Sequence, residues 1–342
     1  MSVYKGVFND CLLMNLKGKR ILFICVKLFG IEQQIKKELE LAGATVDYYD
    51  ERPANNFMVK ALIRINRNLL GKFINRYHQS IIEQTKSVKY DYIFFIKGEA
   101  FSEKNLKNLF EAHPEAPTII YHWDSIANNN NAKRLLNYFD YKFSFDRRDC
   151  EAFGMQFLPL FYYREYKEIA QRTDEKQYDM LFVGTAHSDR YRLVSAIKQQ
   201  ISAIGRSSFT FFFFQGKIMF YKYKLTHPEM KAVPMSDVSF TPLSKQEILD
   251  LYAKSRIVVD IQHPKQTGLT LRTLETLGSN RKLITTNTDI ATYDFYNPCN
   301  ILIVDRDNPI IPKNFLDSPY QPVPPHIYDK YSITTWVKEI FK

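Results

Sequence analysis

The sequence predicts an α/β protein made of two doubly wound parallel sheets, and three observations carry that expectation. Short apolar runs such as RILFICV (20–26) and YDYIFFI (90–96) alternate with longer stretches of helical periodicity. Each run is followed by a helix or a polar loop, which is how parallel strands are connected. At 342 residues the chain exceeds one average core, and the same rhythm restarts near Tyr178, so two domains of roughly 150 residues each are expected.

In order, the first domain (1–160) opens with the strand at Arg20–Val26, a helix over Ile31–Leu41, and a strand at Thr45–Tyr49 after Gly43. The turn after the first strand, Val26 to Ile31, lacks G-x-G-x-x-G, so no dinucleotide cofactor is expected there. A long helical stretch over 55–86 leads to the buried strand at 90–96. A helix over Glu103–Ala112, a strand at Thr118–Tyr121, an asparagine-rich loop at 128–131 and a strand at Tyr141–Phe145 follow. The segment FYYREYKEIAQRTDEKQ (161–177) breaks the pattern and is expected to be the linker. The second domain (178–327) has strands at Tyr178–Val183, Ser208–Phe214, Ile257–Ile261, 283–287 and Ile301–Val304, with helices at Asp189–Ile204, 245–254 and 268–278. Residues 328–342 read as a C-terminal helix.

Composition narrows the class. Hydrophobic content of 45% with 25% charged residues is that of a globular protein, and no apolar run approaches the ~20 residues of a membrane helix. The start of the chain lacks a secretory pattern, which leads us to expect a cytoplasmic location. The four cysteines, Cys11, Cys25, Cys150 and Cys299, are too dispersed for a disulfide framework or a zinc site. A net charge of +10 points to an anionic partner: nucleotide phosphates, an anionic membrane surface or nucleic acid. The aromatic, lysine-rich stretch 217–224 is the one segment that suggests peripheral contact with the inner face of a membrane.

In doubly wound sheets ligands gather beyond the carboxyl ends of the strands. The second domain places phosphate-friendly groups there: Gly184, Thr185 and Arg190 after one strand, then Gln266, Thr267, Gly268, Leu269 and Thr270 after another. Within QTGLTLRTLETLG, helical spacing gathers Leu271, Leu274 and Leu277 on an apolar side and Gly268, Arg272 and Glu275 on another. Backbone N–H groups at a helix start, an arginine and a carboxylate suit a diphosphate and a ribose, although a surface ion pair between Arg272 and Glu275 explains the same residues. The first domain offers acids instead. Glu99, Asp124 and Asp146 are candidates for a general base; each also has a structural reading, as helix caps for the two aspartates and as a partner of Lys97 for Glu99. Asp305-Arg306-Asp307 matches the D-x-D pattern of metal-dependent transferases, a short motif that recurs by chance. Arg281-Lys282 reads as a solvated pair flanking a strand.

These residues resemble the GT-B-fold glycosyltransferases of bacterial lipopolysaccharide and capsular polysaccharide biosynthesis and the related spore-maturation glycosyltransferase-like family. The resemblance rests on FVGTAHSDR (182–190), VVDIQHPKQTGLTLRTLETLG (258–278), RKLITTN (281–287) and YDFYNPCNILIVDRDN (293–308), with FFIKGEAF and YHWDS in the first half, and covers most of residues 90–310. It implies two Rossmann-like doubly wound domains facing across a cleft, and a C-terminal helix that packs back on the first domain. It implies a nucleotide-sugar donor, UDP-sugar favoured and GDP-sugar allowed, with no required cofactor or metal and a glycan or lipid-linked glycan as acceptor. Glu275 matches the acid that contacts the donor ribose, and Gly268 to Thr270 the helix start beneath the diphosphate. Many retaining members carry another glutamate where this chain has Thr267, which leaves retention or inversion open. Two other readings remain: a nucleotide- or glycan-binding module without turnover, and a nucleic-acid-binding protein driven by charge, the latter not favoured.

Overall fold

The computed structural model describes residues 16–53, 71–126, 130–186, 188–264 and 268–342. The part of the expected 55–86 helix before residue 71, residues 128 and 129 of the asparagine-rich loop, Cys11, His187, Gln266 and Thr267 lie outside the described residues. The chain divides into two compact units, residues 1–159 with 333–342, and residues 160–332.

The first unit holds six strands: β1 Arg20–Cys25, β2 Thr45–Asp50, β3 Tyr92–Ile96, β4 Thr118–His122, β5 Tyr141–Ser144 and β6 Gln156–Phe157. They form one sheet in the order β2-β1-β3-β4-β5-β6, and every pairing is parallel. Because helices cover both faces, the central strands carry consecutive buried apolar residues rather than an alternating pattern. On one face Leu22, Ile24, Ile93 and Phe95 pack with Ile82, Leu106 and Leu109 from the helices. On the other, Phe23 stacks on Phe94 with ring centroids 5.3 Å apart, and Trp336 from the C-terminal helix Ile333–Ile340 meets Tyr121 edge-on at 4.8 Å. Burial of each such ring contributes ~2–3 kcal/mol.

The second unit holds β7 Tyr178–Thr185, β8 Ser208–Phe213, β9 Val238–Ser239, β10 Ser255–Asp260, β11 Lys282–Thr285 and β12 Ile301–Ile303. Their order is β12-β11-β10-β7-β8-β9, again all parallel. Its core joins Met180, Phe182, Val259 and Ile284 from the strands to Leu193, Val194 and Ile197 from the helix Arg190–Ala203. Two-residue strands β6 and β9 at sheet edges have too little periodicity to be read from sequence.

The segment 161–177 contains the helix Arg164–Gln171, whose Tyr166 packs edge-on against Tyr252 at 5.0 Å. The expected helix over 328–342 is two helices, Pro325–Lys330 and Ile333–Ile340. The break falls at Tyr331-Ser332, where the Tyr162 N–H donates to the Tyr331 carbonyl at 2.9 Å.

Each sheet has a topological switch point, between β1 and β3 in the first unit and between β7 and β10 in the second. There the connections leave in opposite directions and open a crevice at the strands' carboxyl ends.

Candidate functional site

In the second unit, β7 ends in Gly184-Thr185 and β10 ends in Asp260, side by side at the switch point. Gly184 is required by close approach. A Cβ there would come within 2.9 Å of the Phe182 ring and 3.3 Å of the Arg272 Nη2. The Arg272 guanidinium therefore lies over the bare end of β7, 5.6 Å from the Phe182 ring centroid. Its Nη1 donates to Asp260 at 3.2 Å. Only 23% of the Arg272 side chain is exposed, against 1% for Asp260.

Asp260 also organises the helix that carries Arg272. It accepts hydrogen bonds from the Thr270 and Thr273 hydroxyls, and Thr270 in turn caps the helix Leu271–Gly278 by accepting from the Thr273 N–H at 3.2 Å. The helix thus starts beside the end of β10, with its first N–H groups and Arg272 at one place. Thr273, Leu274, Thr276, Leu277 and Gly278 are its buried residues while Leu271 is half-buried, so the inward face is turned slightly from the leucine stripe expected. Gly268 and Leu269 are both buried; with its side chain in the core, Leu269 has only its backbone to offer a ligand.

Glu275 is half-buried on the same helix, and Arg272 forms its ion pair with Asp260 rather than with Glu275. Burial pushes the Glu275 carboxyl up to about 7, opposed by the Arg272 charge and the Tyr166 hydroxyl. The buried Tyr252 hydroxyl is also close to it. Arg190 is buried and braces the two strand ends. Its Nε donates to the Ile261 carbonyl at 2.8 Å and its Nη1 to Thr185 Oγ1 at 3.0 Å. Burial and the neighbouring Arg272 charge push its guanidinium down to about 10.

Two sequence readings change. Arg281 and Lys282 are not a solvated pair: both are buried. Arg281 donates to the Tyr252 carbonyl at 3.0 Å and Lys282 to the Ser318 carbonyl at 3.0 Å, so each tethers a connection to the edge of β11. In the D-x-D segment, Asp305 Oδ1 accepts the N–H groups of Asp307 at 2.7 Å and Asn308 at 2.9 Å. It closes a turn that aims Arg306 at Asp189, 2.9 Å away. Among the described residues no group of three His, Cys, Asp or Glu side chains is placed to hold a metal ion.

In the first unit the candidate acids separate by environment. Glu99 is clamped between Arg52, whose Nε donates at 2.5 Å, and Lys97 at 3.4 Å. Asp146 is buried and caps the helix Arg147–Phe153, accepting from the Arg148 N–H at 3.0 Å. Asp124 pairs with Lys97 at 2.5 Å yet keeps 55% of its side chain exposed. Beside it, Trp123 is only 8% exposed, its ring packed. Lys97 links Glu99 to Asp124 from a left-handed backbone position, φ 82°. Beneath them Glu51 is fully buried and accepts the Ala100 N–H at 2.6 Å; burial, then the Glu99 charge, push it up to about 7.

Sequence reasoning missed Asp260 and Glu51, and read Lys97 only as a partner of Glu99, not of Asp124 as well. Asp260 terminates the run RIVVD just before Ile261. A charged residue ending a buried strand at a switch point was the available signal. Glu51 and Lys97 follow β2 and β3 in the same manner, but which strands are neighbours is set by the sheet order.

These features define a fold class: two Rossmann-like parallel-sheet domains in one chain, the GT-B type. No family model and no curated sequence relative matches the chain. Among solved structures it is similar to HepE of Anabaena, determined with UDP and glucose, at 13% identity over 94% of this chain and 98% of that one, with a TM-score of 0.56. A glycosyltransferase from Rickettsia africae superposes at a TM-score of 0.60 with 13% identity, over 95% of this chain and 98% of the other. The α,α-trehalose-phosphate synthase of Burkholderia xenovorans, in complex with glucose-6-phosphate, also reaches 0.60, at 9% identity over 94% and 98% of the chains. At such identities the likeness is one of fold.

Proposed function

We propose that this chain is a glycosyltransferase. It transfers a sugar from a nucleoside diphosphate donor, UDP-sugar favoured over GDP-sugar, to a glycan or lipid-linked glycan acceptor in the assembly of bacterial surface polysaccharide. The observation that carries the reading is the Arg272 guanidinium over Gly184 at the β7/β10 switch point, beside the start of the helix that bears Glu275. A diphosphate at that place meets one cation and helix N–H groups, which is the field needed to stabilise a departing nucleoside diphosphate. Glu275 then accepts the ribose hydroxyls. The GT-B fold and a structural neighbour solved with UDP and glucose support this assignment.

Of the first-unit acids, we assign the general base to Asp124, because Glu99 is held by two cations and Asp146 by a helix cap. If the reaction inverts, Asp124 takes the proton from the acceptor hydroxyl, with Lys97 paired beside it.

The test is a thermal-shift and calorimetry panel of UDP, GDP and CMP and their sugars, with and without EDTA. UDP should stabilise the protein regardless of EDTA, and Arg272→Ala should weaken UDP binding by roughly tenfold or more. Absence of stabilisation by any nucleotide would sink the donor site. Binding without release of UDP from any UDP-sugar, with a panel of glycan acceptors present, would reduce the chain to a binding module.

A further inference from the structure

We propose that the helix Lys217–Thr226 docks the protein on an anionic lipid surface, lying in the plane of the interface. This goes beyond the donor-site reading and stands independently of it. The helix is held from within by Phe220, fully buried and edge-on to Phe214 at 5.6 Å and to Phe240 at 6.0 Å. Its opposite side is not polar. Ile218, Tyr221, Lys222 and Leu225 fall at i, i+3, i+4 and i+7, one stripe of the helix. Ile218 is 89% exposed, Leu225 84% and Tyr221 54%. Met235, 38% exposed, extends the stripe, with its sulfur 3.3 Å from the Tyr221 hydroxyl. Single exposed apolar residues are ordinary on a protein surface, but three on one side of a helix, with Met235 of the following turn beside Tyr221 and Lys222 among them, make an exposed apolar patch.

The charges around the ridge identify what covers it. Residues 217–237, which include Met235, carry four lysines, Lys217, Lys222, Lys224 and Lys231, against two acids, Glu229 and Asp237, the second of which accepts from the Tyr191 hydroxyl. Lys224 holds its ammonium over the Phe220 ring, 5.5 Å from the centroid. An apolar stripe flanked by lysines with long aliphatic stems suits a bilayer: Ile218 and Leu225 enter the boundary between headgroups and acyl chains, and the ammonium groups remain at the phosphates. The helix is about 15 Å long, enough for a shallow anchor but not for a span.

The full chain should be sedimented with vesicles of phosphatidylcholine alone and with vesicles containing roughly one-third phosphatidylglycerol. We expect binding to the anionic vesicles only, falling as salt is raised. The double variant Ile218→Glu/Leu225→Glu should lose roughly tenfold or more of that binding, with UDP stabilisation unchanged as a check that the fold is intact. Equal binding by variant and wild type overturns the proposal, as does wild-type indifference to anionic vesicles. So does a concentration-dependent dimer that ignores vesicles and is abolished by the double variant, since the stripe then belongs to a contact between copies of the chain. Vesicle binding without any nucleotide shift would leave the docking helix standing and remove the donor-site reading.

Discussion

Asp260 concentrates the chemistry of the second unit in one buried carboxylate. Three side chains converge on it, Thr270, Arg272 and Thr273, and without it the Arg272 guanidinium would lose the anchor that aims it across Gly184. Glu275, one helical turn on, is the opposite case: a carboxyl whose charge the fold resists. Burial raises it from 4.5 to about 7, so the folded chain holds that proton more tightly than the unfolded one. The corresponding stability is fully present below pH 4.5 and is lost as pH rises toward 7. Glu275→Gln should therefore flatten the fall in urea-unfolding free energy between pH 4.5 and 7.5 by roughly 1–3 kcal/mol. Glu51, raised in the same direction in the first unit, keeps its own contribution in the variant. A pH slope identical to wild type would mean that Glu275 is charged throughout. The types of residue at this site were readable in LTLRTLETLG, since a cation and an acid three apart share a helix face. What Arg272 pairs with was not readable, because its partner lies on a strand twelve residues earlier and the two meet only after the sheet has formed.

At the scale of elements, the helix Leu271–Gly278 is fixed at both ends, by the Thr270 cap and by a close contact at Gly278. A Cβ on Gly278 would lie 2.5 Å from the Tyr162 ring. Tyr162 cannot easily yield: its hydroxyl donates to the Tyr328 carbonyl at 3.1 Å, and the Tyr328 hydroxyl donates to the Gly278 carbonyl at 2.6 Å. Gly278→Ala should destabilise the second unit by about 1–3 kcal/mol, although alanine is the better helix former by ~1 kcal/mol. Equal or greater stability in thermal unfolding would show that Tyr162 moves aside. Glycine near a helix end reads in sequence as a stop signal, and the helix does stop there. That the glycine also makes room for a tyrosine more than a hundred residues earlier is a packing fact with no local trace. The helix Lys217–Thr226 was hidden for a related reason. Its outward residues are apolar, so the sequence KIMFYKYKLT shows no clean amphipathic period.

At the scale of the molecule, residues 333–342 group with the first unit although the second ends at Ser332. Ile333, Trp336, Val337, Ile340 and Phe341 are all buried, and Thr334 donates to Glu38 Oε1 at 2.7 Å. Five buried apolar residues at ~1.5–3 kcal/mol each are comparable with the whole stability of a domain. Deleting 333–342 should abolish cooperative unfolding of the first unit in calorimetry while leaving a second transition that UDP still raises. Two intact transitions in the shortened chain would show that the helix contributes little.

The fold class was legible because apolar runs buried on both faces, separated by helices, have few architectural solutions. The strand after Tyr90, the helix Glu103–Ala112 and the restart at Tyr178 each express local preferences that the tertiary structure keeps. The chain by itself determined two parallel α/β units and the segment on which phosphate-friendly groups gather. The tertiary structure alone decided which cations are taken up in bracing the fold. Arg190, Arg281 and Lys282 are cations in the sequence but buried braces in the fold. Burial and pairing depend on neighbours brought together across the sheet, and a linear sequence does not record them.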